Sequence, residues 1–128
     1  MSGLYTSARE GILSGAIRWM TDDIRVVLVS SGYFFNEAHE RLSELAQFAM
    51  GSSGTLNARS AFDGAADAAD ISVVADSSRP MGGLVLYRKG FGDPLVAYIA
   101  DDGPEFTPQV GQIVNIEWDN GPNRIFRI

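Results

Sequence analysis

A chain of 128 residues with 45% hydrophobic side chains can bury a core without staples, and this composition argues against disorder. Ten Lys and Arg against sixteen Asp and Glu leave a net charge of −6. That sign disfavours phosphate binding, so no nucleic acid is expected as a partner. Cysteine is absent, which removes disulfide frameworks, thiolate nucleophiles and cysteine-based zinc sites.

The opening MSGLYTSAREG has no apolar stretch of the kind a signal peptide needs, and no run approaches transmembrane length, so no membrane partner is expected. Residues 1–128 read as one domain. Ser7-Ala8-Arg9-Glu10 has the form of a capping box, and Ala8, Ile12, Leu13, Ala16, Ile17 and Met20 then recur at helical spacing. An N-terminal helix is therefore expected, with Gly11 and Gly15 weakening it and giving a small-residue spacing open to a close neighbour. Thr21-Asp22-Asp23 leads into IRVVLVSS, Ile24 to Ser31, apolar on both parities as in a strand buried on both faces.

The aromatic run Tyr33-Phe34-Phe35 follows Gly32, and a second helix is expected from Asn36 as N-cap. Leu42, Leu45, Ala46 and Ala49 would form its buried stripe and Gly51 its stop. From Gly51 to Asp70 the sequence is small, polar and turn-rich, and reads as loop with one short strand. Further strands are expected at Asp70–Ala75, Gly83–Lys89, Pro94–Ala100, Gln112–Trp118 and Arg124–Ile128, with residues 88–93 as a hairpin connection. The last two runs pair in this reading, reversed by Asp119-Asn120-Gly121-Pro122-Asn123, with Phe126 and Ile128 facing the core.

The expected fold class is α+β, mainly an antiparallel β-sandwich or partly closed barrel, with two helices, one N-terminal and one central. Its core is expected to include Ile24, Val26, Leu28, Leu84, Leu86, Val114, Ile116, Trp118, Phe126 and Ile128.

The chemistry-bearing residues do not assemble into a catalytic motif. His39, the single histidine, stands four residues from Ser43, but no G-x-S-x-G elbow accompanies the pair, and a surface or capping role is expected. Asp63, Asp67 and Asp70 lack the alternate-residue oxygens of a calcium loop and read as solvated carboxylates. Asp22-Asp23 and Asp101-Asp102 fit turn and capping chemistry. Gly90-x-Gly92 has neither the third glycine nor the following helix of a dinucleotide loop, and Glu105 with Glu117 is a pair any acidic chain offers. No catalytic residue, cofactor or metal is assigned. Tyr33, Phe34, Phe35, Phe91 and Phe106 lie in or beside expected loops, and form a candidate partner interface if exposed.

AREGILSGAIRWMTDDIRVVLVSSGYFF, then AHERLSEL, GLVLY, LVAYI and a closing VNIEWDNGPNRIFRI together resemble a family of small tailed-bacteriophage virion proteins. In that family a helix precedes T/D-D-x-I-K-V-x-L-V, and W-D-N-G separates two final strands. The resemblance spans nearly the whole chain in the same order. The central SSGTLNARSAFDGAADAADISVV departs from it, being richer in Ala and Asp.

The resemblance implies a non-enzymatic particle component. The favoured role is a capsid decoration, or cement, protein on the outer capsid surface, made in the host cytoplasm and binding the major capsid protein as a homo-oligomer, with a trimer favoured. A tail or neck component binding tail or neck proteins is the alternative. A virion-surface carbohydrate-binding module or hydrolase is a third reading, from a different class.

Overall fold

The computed structural model describes residues 3–101, 105–118 and 125–127. Elements follow in the order β1 (Gly3–Leu4), α1 (Thr6–Ser14), β2 (Ile24–Ser30), a 3-10 helix (Leu42–Phe48), β3 (Ala49–Ser52), β4 (Ser60–Phe62), β5 (Ala65–Asp67), β6 (Ile71–Val74), β7 (Met81–Arg88), β8 (Leu95–Ala100), β9 (Ile113–Ile116) and β10 (Phe126–Arg127). The branched runs IRVVLVS, MGGLVLYR and LVAYIA form the centre of a five-stranded antiparallel sheet ordered β1-β8-β7-β2-β3. A two-stranded sheet, β6-β9, and a three-stranded one, β10-β5-β4, complete an α+β, sandwich-like architecture with no closed barrel among the described residues.

β2 is buried on both parities, as its unbroken apolar run predicts for an inner strand. The 3-10 helix and β6 both pack on it, and α1 packs on β8. The expected core residues Ile24, Val26, Leu28, Leu84, Leu86, Val114, Ile116 and Trp118 are all buried in one hydrophobic cluster. Phe126 is half-buried against that cluster, and Ile128 lies outside the described residues.

Both helices differ from expectation in extent. α1 starts at Thr6 with Tyr5 as N-cap and no side-chain cap, so Ser7 lies inside the helix, its buried hydroxyl without a partner among the described residues. The start is set by tertiary anchoring: Tyr5 is fully buried and its amide donates to the Val96 carbonyl at 3.2 Å. α1 ends at Gly15, whose φ of 82° is the left-handed conformation that suits glycine. The chain then folds back, the Ile17 amide reaching the Gly11 carbonyl at 3.0 Å, and Ile17 packs where a Gly11 side chain would stand. The small-residue spacing thus admits the chain's own isoleucine, while Leu13, Ala16 and Met20 remain exposed.

The central helix is shorter and tighter than the Asn36–Gly51 reading. Asn36 makes a local turn, its Oδ1 accepting from the Ala38 amide at 3.0 Å. The Glu37 carbonyl takes the Thr6 amide, the Glu40 carbonyl takes the Leu95 amide, and Arg41 bridges Pro94. These non-local bonds keep the segment out of a helix until Leu42. Ala49, expected in the helix stripe, opens β3.

Two strand expectations are also corrected. The Gly51–Asp70 stretch holds two short strands, β4 and β5, joined by Asp63-Gly64 with φ of 52° and 78°. That pair of positive angles is the type I′ hairpin favoured by Asp-Gly. Among the described residues, the final two runs do not pair with each other. β9 pairs with β6, matching Ile71 to Ile116 and Val73 to Val114, while β10 pairs with β5, matching Phe126 to Ala66. Parity shifts accordingly: Ile125 is buried and Phe126 is only half-buried, edge-on to Trp19 at 5.3 Å.

Candidate interaction surface

Five loop aromatics were the expected interface, and the fold separates them. Tyr33 is a core residue, which removes it from any surface. Its hydroxyl lies 2.8 Å from that of the fully buried Tyr5 and 3.0 Å from Nδ1 of His39. Burial pushes the Tyr5 phenol far above the ordinary tyrosine range, and raises Tyr33 in the same direction. The resulting Tyr5–Tyr33–His39 chain ties the start of α1 to the loop after β2. His39 is therefore a structural partner of Tyr33. The helical His39–Ser43 pairing does not form, since the 3-10 helix begins only at Leu42.

Phe35 is half-buried, stacked on Tyr98 at 5.5 Å and edge-on to Tyr5 at 5.1 Å. Phe106 is also half-buried and bridges Met81 at the far end of β7. That leaves two of the five in solvent: Phe34, 83% exposed, and Phe91, 96% exposed. A hollow of about 630 Å³ runs beside Phe34, Phe35, Glu37 and His39. A smaller one, about 260 Å³, is lined by Phe91, Ile17, Glu40 and Arg41. The Asn36–Arg41 loop contributes to both.

The β7–β8 connection that carries Phe91 is unusual in its backbone. Gly90, Phe91, Gly92 and Asp93 have φ of 107°, 52°, 86° and 50° in succession. A bulky side chain in the left-handed region is an outlier with an energetic cost. The surroundings hold it: Asp93 Oδ1 accepts the Gly90 amide at 2.7 Å, and the Leu42 amide donates to the Asp93 carbonyl at 3.0 Å. Gly92 lies beneath the Arg41 guanidinium, which any side chain there would strike.

A third exposed phenylalanine, Phe62, was missed in the sequence; it stands 83% exposed beside the Asp63-Gly64 turn. The Asp-Gly dipeptide was the signal for it. The edge strand below is covered by Trp19, whose indole nitrogen donates to the Ser60 carbonyl at 3.0 Å. Arg59 closes the same clamp by donating to the carbonyls of Trp19 and Asp22.

Cations serve as internal pins elsewhere too. Arg79 donates to the Gln47 and Ala49 carbonyls, Arg88 donates to the Ala16 carbonyl, and Arg25 makes a two-bond pair with Asp23 at 3.0 Å. The Arg25 guanidinium, with the Thr55 hydroxyl at 2.6 Å, holds the Asp23 carboxyl below its ordinary range. Glu44 is lowered likewise by the Glu40 and Arg41 amides that its Oε1 accepts.

The remaining carboxylates follow local structure. Asp63 shapes the hairpin, and Asp22 accepts the Arg18 amide. Asp70 is an exposed loop carboxylate that also accepts the Trp118 amide at 3.0 Å. Asp102 lies outside the described residues. Among the described residues, no three of His, Asp and Glu gather as a metal-holding group, and no helix is long and apolar enough to cross a membrane. No family model, curated protein or solved structure matches the chain.

Proposed function

We propose that this protein is a non-enzymatic structural component of a tailed-bacteriophage virion that decorates the outer surface of the major capsid lattice, most simply as a trimer. The observation that carries the reading is Phe91, held almost fully exposed in a strained, left-handed loop that the rest of the fold fixes in place. A phenylalanine kept out of the core at a conformational cost is the anatomy of an interface anchor, which gains its stabilisation only when a partner buries it. Phe34, just before the Asn36–Arg41 loop, is a second exposed phenylalanine. The likeness of the ordered segments to small virion proteins supplies the particle context.

The test is binding of the purified protein to capsid shells of the encoding phage. Phe91→Ser and Phe34→Ser are expected to weaken shell binding severely while leaving the melting temperature near the parent's. Unchanged binding by the double variant would overturn the assignment of this surface. Binding to isolated tails or necks, with none to shells, would overturn the capsid role.

A further inference from the structure

On a different surface, a strand edge has no backbone partner among the described residues. In the β6-β9 pair, the Ala75 amide donates to the Gln112 carbonyl at 2.9 Å, which fixes the alternation along the ladder. Val114 and Ile116 then turn their amides and carbonyls toward β6, and Ile113, Asn115 and Glu117 turn theirs away. The mirror prediction on β6 holds, since the Val74 carbonyl points away from β9 and abuts Gly51 of β3. Among the described residues, no backbone hydrogen bond reaches Ile113, Asn115 or Glu117 from that outer side.

This edge opens into a groove of about 450 Å³, walled by Met81, Leu84, Ile99 and Phe106 and rimmed by Glu117. Ile113 lines it too, and is 61% exposed beside its cross-strand neighbour Val74. Five strand residues span roughly 16 Å, enough to pair a short extended segment.

We infer that the β9 edge accepts an extended segment of a partner protein as an added strand, its apolar side chains seated in the groove and a flanking Lys or Arg facing Glu117. A backbone edge unpaired among the described residues calls for a strand, because another strand satisfies alternate amides and carbonyls along one line. The charge selects the occupant. A second copy of this chain would bring its own net −6, and several of its arginines are already committed to internal carbonyls and carboxylates. A basic-flanked segment is the complementary choice. The inference stands apart from the Phe91 surface, which lies at the opposite end of β7 and β8.

The experiment uses the full chain, labelled with nitrogen-15, and a short synthetic peptide of alternating threonine and valine with lysine at both ends. Saturable amide shifts centred on Ile113, Asn115 and Glu117 are expected, with loss of binding when alternate peptide nitrogens are methylated. Glu117→Lys, at an exposed position, should weaken this peptide at low salt and favour a glutamate-flanked version. Saturable shifts confined to another edge, or no saturable shifts, would overturn the inference. So would self-association of the free protein through β9, seen by sedimentation and reversed by the peptide, since the occupant would then be a second copy. Retained shell binding with no peptide response would reject this site alone.

Discussion

Tyr33→Phe tests how the aromatic cluster beneath the loops is held. The change removes one oxygen from a buried ring and leaves packing against Phe48 and Tyr98 intact. Its main consequence falls on Tyr5, whose fully buried hydroxyl loses the partner at 2.8 Å. Stranding a buried hydroxyl costs about 1–3 kcal/mol. Tyr5→Phe is gentler, because Tyr33 keeps His39 at 3.0 Å, and should cost about 0.5–1.5 kcal/mol. The double variant strands neither Tyr5 nor Tyr33 and should cost less than the two single values added, with a coupling near 1 kcal/mol. Urea unfolding followed by circular dichroism measures all three. On heating, each kcal/mol should appear as roughly 3–5 °C for a chain of this size. Equal costs for the two single variants, or strict additivity in the double, would refute the hydrogen-bonded chain.

Gly51→Ala should destabilise by more than about 2 kcal/mol, since Gly51 has φ of 128° and an added methyl meets the Val74 carbonyl; thermal melting checks it. Phe91→Gly should raise stability by up to about 1 kcal/mol by relieving the left-handed phenylalanine, even as shell binding falls. Asp23 and Glu44 both have folded pKa values below their unfolded ones, so their stabilisation is present above the unfolded values and lost as pH falls through the folded ones. Urea midpoints should therefore drop from about pH 5 downward, and Asp23→Asn should flatten that drop. In this cysteine-free chain, Ala66→Cys with Phe126→Cys should form a disulfide on oxidation, because the two positions pair directly. Ile116→Cys with Phe126→Cys should not, which separates the observed topology from a terminal hairpin.

The elements most legible in the sequence were those fixed by their own side chains. The runs at Ile24, Gly83 and Leu95 are strands wherever they lie in a sheet, because their branched residues suit a buried pleat. Val114, Ile116 and Trp118 were readable as one inward face by alternation, although their partner strand was not. Pairing is a non-local choice: β9 could meet β10 after a short turn or β6 from far upstream, and burial of Ile71 and Val73 opposite Ile116 and Val114 favours the second.

The central helix failed for a related reason. Asn36, Glu37 and Glu40 favour a helix start locally, but the Asn36 side chain caps a local turn at Ala38, and the Glu37 and Glu40 carbonyls are bonded to the Thr6 and Leu95 amides instead. The interface was half legible. Adjacent aromatics in a loop carry no periodicity, so nothing local distinguishes the buried Tyr33 from the exposed Phe34. Phe91 was identifiable because glycines and an aspartate surround it in a turn.

The most direct test of the decoration role is the copy number of this protein in purified particles, by quantitative mass spectrometry against the major capsid protein. A capsid decoration protein should be present in a number commensurate with the shell lattice, and should be shed without loss of tails. A handful of copies per particle, co-purifying with detached tails or necks, would contradict the account.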